Sequence, residues 1–369
     1  MKSEKIIYLD YNATAPLRVS AHEALIEATK NAYNASSIHS LGRKGRSFIE
    51  QTREDLGKAI NCPPAQIIFN SGATEGNNTV LKHFAHETII TSAIEHPSVL
   101  ESMPAAIRAP VLKNGVIDLD KLKELVKTHK PALVSIMAIN NETGVIQPVK
   151  DIAEIAHNAG ALYHCDGVQA LGRIPLDMQD MGIDFLTLSA HKIGGPQGVG
   201  ALAVRLCGEN PILLQGGGQE KSQRAGTENV AGIASFGAAL NETMSELNNY
   251  QNHYSALLKP IIETLNTMDG VTIHGLDAPR TANTLSFSIE GTSSETLLMS
   301  LDLEGIALSN GSACSSGKVE ASYVLLAMGC SEKCAKAVLR VSAGYDTKQS
   351  DIDVFLQKLL KITERIRKK

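Results

Sequence analysis

Lys192 ends the apolar run of "LSAHKIGGPQGVG", between a segment that reads as a strand and a glycine-rich turn. A plain surface lysine is the ordinary outcome at a turn, but its neighbours argue for more. A lysine held in a partly desolvated site loses basicity and becomes an amine that traps carbonyls, which is how a Schiff-base cofactor is anchored. The glycines behind it let backbone approach such a cofactor closely. Asp166 follows "ALYHC", 26 residues earlier. A carboxylate at the end of a buried strand needs a partner, and the protonated ring nitrogen of pyridoxal phosphate is one that Schiff-base enzymes pair with an Asp. The simpler reading is a helix N-cap opening "DGVQALG". Gln169 then faces either the phenolic oxygen of the same ring or solvent.

The segment "SGATEGNN" opens a helix with small residues, so free backbone N–H groups and the helix dipole suit a phosphate there, with the Thr74 hydroxyl as a further donor. No G-x-x-x-x-G-K-[ST] occurs, and "GPQGVG" leads into a strand-like "GALAVR", which weakens nucleoside triphosphate and dinucleotide readings. His96 closes "TIITSAIEH". At that position it is either a hydrogen-bonded structural residue or a ring lying over a planar cofactor and moving protons near neutral pH. His191, beside Lys192, is placed to reach a phosphate. Cys314 sits in "LSNGSACSSG", a stretch too small and polar to pack a core, so an exposed loop thiol is expected. Such a thiol is an oxidation liability unless it has chemistry to do. The other five cysteines lie in apolar, helical or strand contexts. Cys330 and Cys334 have helical spacing, but no further ligands accompany them, so no metal site is expected.

These residues share a position in the pattern. Between about residue 66 and residue 206, "QIIF", "TIITSA", "ALVSIMAI", "ALYHCD", "DFLTLSA" and "GALAVR" read as strands, alternating with helices such as "VKDIAEIAHNAG". That alternation implies a mostly parallel sheet covered on both faces, with ligands bound beyond the carboxyl ends of its strands. After "RAGTEN" comes a long helix from Ile233 to about Met268. Short strands and helices follow, and they read as a smaller α+β domain. There is no fixed-period repeat. A net charge of −4 over 369 residues, with both signs interspersed, gives no basic face for nucleic acid. The C-terminal "LLKITERIRKK" reads as a solvated helix end. No apolar run approaches the roughly 18 residues of a membrane span, and scattered cysteines without C-x-x-C suit a reducing cytoplasm.

In order along the chain, "YLDYNATAP", "SSIHSLGR", "FNSGATEGNN", "EHPSVL", "NNETGVIQP", "YHCDGVQALG", "LSAHKIGGPQGVGAL", "RAGTEN", "GSACSSG" and "LRVSAG" carry a resemblance essentially end to end. With them the chain resembles the cysteine desulfurases, pyridoxal-phosphate enzymes of the class V aminotransferase superfamily. The resemblance implies an α/β fold of the fold type I class, a large domain with a mostly parallel seven-stranded sheet and a smaller α+β domain. The expected division is 15–250 for the large domain, with 1–14 and 251–369 forming the small one. It implies that Lys192 carries pyridoxal 5'-phosphate, Asp166 pairs with its ring nitrogen, and Gln169 and Asn141 contact its phenolic oxygen and ring. His96 would stack on the ring. Ala73, Thr74, Ser189 and His191 would hold the phosphate, with Thr227 reaching the phosphate of the other subunit of a homodimer. Arg340 and Asn12 would bind the substrate, L-cysteine. Lys192, His96 and Cys314 would be catalytic, Cys314 taking the sulfur as a persulfide for a sulfur-acceptor protein. Iron–sulfur assembly, tRNA thiolation, thiamin and molybdopterin synthesis all stay open as destinations. Gly167 stands where the resemblance implies an alanine packed on the ring, so weaker cofactor affinity is expected.

Overall fold

The computed structural model describes residues 6–205, 208–310 and 320–367. Cys207 and Cys314 lie outside the described residues. Seven short strands form the main sheet, in the spatial order Ile67–Asn70, Gly200–Val204, Phe185–Ser189, Leu162–Asp166, Leu133–Ser135, Ile89–Ser92 and Ile107–Ala109. Gly200–Val204 runs antiparallel to both neighbours. The other pairings are parallel. Their sequences are near-continuous apolar runs because helices cover both faces of the sheet. The helix Val149–Asn158 is typical, burying Val149, Ile152, Ala153 and Ala156 and stopping before Gly160, whose φ is 79°.

Two strand readings differ from the pattern. "ALVSIMAI" pairs as a strand only over Leu133–Ser135; beyond it Ile136 and Ala138 still donate to the His164 and Asp166 carbonyls, and the chain then turns back at the bridge between Ile139 and Ile146. The edge strand Ile107–Ala109 gave no signal because "IRA" is too short to show a period.

The second layer system is a three-stranded antiparallel sheet of Val271–His274, Thr284–Ile289 and Val338–Ser342, with the helices Ser294–Leu303 and Gln349–Arg367 beside it. Each system has its own core. Val134, Leu186 and Ala201 belong to one; Leu9, Phe287, Val341 and Phe355 belong to the other. The helix Val230–Asn266 serves both. Phe236 and Leu240 enter the first core, and Leu258 and Ile261 enter the second.

Candidate active site

The carboxyl ends of five sheet strands open onto one cavity of about 530 Å³. Lys192 stands in its wall at the end of a tight turn, Ala190–Lys192, that follows the strand Phe185–Ser189. Its Nζ donates to the carbonyls of Asn12 at 2.8 Å and Ala13 at 2.7 Å. Burial lowers its pKa from 10.5 to about 7; Arg340 and Arg173 add to the shift, and Asp166 and Asp10 oppose it. The amine is therefore available as a free base near neutral pH, as a carbonyl-trapping lysine requires.

Asp166 lies in the same wall. Its Oδ1 accepts from the Val168 N–H at 3.0 Å, so the expected turn-capping bond exists, while Oδ2 accepts from Asn77 Nδ2 at 2.8 Å. Asn77 went unnoticed in the sequence, although it lies one helical turn after Thr74. Asn141 Oδ1 and Gln169 Oε1 are buried without partners, and both residues line the cavity. The helix Ala73–His83 points its N-terminus at this space. Gly72 precedes it with φ 145°, a backbone state open to glycine, and no side chain caps the helix. The N–H groups at Ala73 and Thr74 are thus left for a ligand. Ser189 and His191 complete that end. His191 Nδ1 lies 3.1 Å from Thr14 Oγ1, and burial beside Lys192 pushes its pKa down to about 4.

His96 caps a short helix: its Nδ1 accepts from the Ser98 N–H at 3.1 Å. That bond puts the proton of the neutral ring on Nε2. Burial lowers the pKa, Asp166 opposes and Lys192 assists. Arg340 is almost fully buried, with Nη2 on Asp10 Oδ1 at 2.6 Å and Nη1 on the Asn141 carbonyl at 3.0 Å. Its Nε has no partner. Asn12 is a junction: its Nδ2 donates to the Asn141 carbonyl and Thr284 Oγ1, and its Oδ1 accepts from Arg173 at 2.7 Å. Thr227 is not in this cavity. It lines a neighbouring one of about 190 Å³, and Ser71 and Gly198 form walls of both.

Further residues of the site gave no sequence signal. Glu75 lines the phosphate end of the cavity with Arg224 on its Oε1 at 2.9 Å. Glu142 accepts from Ser322 at 2.5 Å, and burial raises its pKa to about 7. Tyr323 reaches the Glu95 carbonyl at 2.7 Å. Ser309, in the cavity wall, bonds the Arg340 backbone, and Asn310 after it is buried. Cys314, the expected sulfur carrier, lies outside the described residues.

The sequence profile of the family described as aminotransferase class V matches residues 7–355. The chain belongs to this family. Among its relatives, the cysteine desulfurase IscS of Dictyoglomus turgidum is 39% identical, covering 100% of this chain and 96% of the relative. The mitochondrial cysteine desulfurase of Drosophila melanogaster is 37% identical over 98% of this chain and 81% of its own length. The solved structure of a NifS-like protein from Rickettsia africae superposes with a TM-score of 0.91 at 34% identity, covering 97% of this chain and 99% of that one.

Class V aminotransferases use pyridoxal 5'-phosphate, and the residues present fit it. An uncapped helix N-terminus suits the phosphate, a buried carboxylate suits a ring nitrogen, and two orphaned buried amide oxygens await a polar ligand. The packing assumed for an alanine at position 167 is not what the structure shows. A methyl added at Gly167 would lie 2.6 Å from Leu186 Cδ1 and 3.3 Å from Leu188 Cδ2, inside the core and not toward the cavity. Val168, the next residue, lines the cavity instead. Gly167 therefore leaves room for Leu186 and Leu188 behind the strand.

Proposed function

We propose that this class V aminotransferase is a cysteine desulfurase, converting L-cysteine to L-alanine and passing the sulfur through a persulfide on Cys314 to an acceptor protein. The observation that carries the reading is the low-pKa Lys192 amine held inside the cavity that Asp166 also lines. Pyridoxal 5'-phosphate bound there supplies the electron sink that labilises bonds at the substrate α-carbon. In this reading Lys192, Asp166, Gln169 and Asn141 hold the cofactor ring, while Ala73, Thr74, Ser189 and His191 hold its phosphate. Lys192 Nζ, near neutral basicity, takes and returns a proton at the α-carbon. Arg340 orients the substrate carboxylate, with Asp10 yielding Nη2 for a two-point grip, and Asn12 fixes the wall beside it. His96, its Nδ1 tied to Ser98, offers an Nε2–H donor over the site. The Cys314 thiolate then attacks the substrate sulfur: an S–S bond forms, the C–S bond breaks, and the carbon fragment gains a proton and leaves as alanine.

The working unit in this reading is a homodimer, Thr227 of each subunit reaching the phosphate of the other. A second cavity beside Thr227, sharing Ser71 and Gly198 with the first, supports this. Among the described residues all four cysteines are free and no helix is long and apolar enough to cross a membrane, which supports a reducing, cytoplasmic setting. The decisive test is incubation with L-cysteine and a thiol reductant, measuring alanine and sulfide together. Equal amounts are expected, and Cys314→Ser should lower both by at least about a hundredfold. Alanine release untouched by that substitution would refute the reading.

A further inference from the structure

Behind Lys192, on the side away from the main cavity, lies a small space of about 30 Å³ bounded in part by Arg173, Tyr250 and Tyr254. Arg173 is only 5% exposed. The groups that act on its charge are Tyr250, Tyr254 and Arg340, none a carboxylate, and burial lowers its pKa. A buried guanidinium without an acid partner is costly, so its retention asks for a role. Its one strong bond is to Asn12 Oδ1, at 2.7 Å. The backbone carbonyl of that same Asn12 accepts from Lys192 Nζ at 2.8 Å and from Gln169 Nε2 at 3.1 Å.

We infer that Arg173 is a positioning residue for the reaction: through Asn12 it fixes the carbonyl on which the Lys192 amine rests, and it sets a permanent positive charge behind that amine. The inference rests on Lys192 being the cofactor-bearing lysine. The surroundings of the amine agree with it. Arg340 and Arg173 both disfavour a proton on Lys192, Asp166 and Asp10 favour one, and burial outweighs them all. His96 and His191 are both shifted toward the neutral ring and so add no charge of their own, while Tyr11, Arg18, Glu246, Tyr250, Tyr254 and Tyr345 line the small space on the amine's other side. Arg173 thus keeps the lysine nitrogen ready to lose its proton, while Asn12 keeps it from swinging out of the cavity. "ALGRIP" shows nothing of this, because an arginine one residue before an Ile-Pro pair reads as a turn residue.

The test is a pH titration of the visible absorption of the lysine-bound cofactor in the holoprotein. In Arg173→Met the midpoint should rise by about one unit, since removing a buried cation whose charge acts on the nitrogen favours its protonated form. Arg173→Gln, which keeps a donor for Asn12 and serves if the methionine variant does not fold, should raise it likewise. Arg173→Lys, which keeps the charge, should stay within about 0.3 units of the parent while lowering kcat, because a single ammonium holds Asn12 less firmly. An unchanged midpoint in either folded neutral variant, or an equal rise in the lysine variant, overturns the inference. Lys192→Ala separates it from the reading beneath it. If that variant still gives a borohydride-fixed cofactor adduct, Lys192 is not the anchor and both fall; if no adduct forms, the arginine variants judge the inference alone.

Discussion

Burial decides what Lys192 can do. With its pKa at about 7, the free amine dominates above that value and is lost below it. Cofactor uptake by the cofactor-free protein should therefore slow about tenfold per unit as pH falls from 7 to 5, in stopped-flow absorbance; a flat profile would contradict the burial argument. Gly167 shows a residue beside the site whose missing side chain faces the core. Gly167→Ala should destabilise the fold by about 1–3 kcal/mol through overpacking against Leu186 while leaving the cofactor dissociation constant unchanged, as denaturant unfolding and cofactor titration would show. At this scale the sequence was informative where a residue type is rare at its position. A lysine, an aspartate or a histidine at the end of an apolar strand stands out. Arg173, Glu142 and Asn77 do not, because what marks them is burial with unusual partners, and that depends on which elements the fold brings together.

Strand ends and helix starts do most of the positioning. The alternating pattern was readable because each strand and helix is locally consistent with its place, whereas "IRA" and the end of "ALVSIMAI" carry too few residues for a period to emerge. A less visible joint is Ser322, which caps the helix Tyr323–Ala327 by accepting from the Leu325 N–H and donates to Glu142. Ser322→Ala removes the cap and strands a buried carboxyl, so a loss of about 2–4 kcal/mol is expected in chemical denaturation. Glu142 also couples this joint to pH. Its pKa rises from 4.5 to about 7 on folding, so its stabilising contribution is complete below 4.5 and is lost as pH climbs through 7. Glu142→Gln should flatten that part of the stability profile; an unaltered slope would show that another group sets it.

Across the whole molecule, the helix Val230–Asn266 ties the two cores together, and Asn12 and Arg340 stitch the second sheet to the cavity wall. Melting either core frees half of that helix, so calorimetry should give one transition, and stripping the cofactor should lower its midpoint and leave a single peak; two resolved peaks would show that the cores unfold separately. The chain around Cys314 adds a limit on reach. Asn310, buried next to the Arg340 pairing at Ser309, is fixed, and Cys314 follows it by four residues. At full extension four residues span roughly 14 Å. If Cys314 carries the sulfur as proposed, this tether length alone bounds how far from Asn310 an acceptor can meet it.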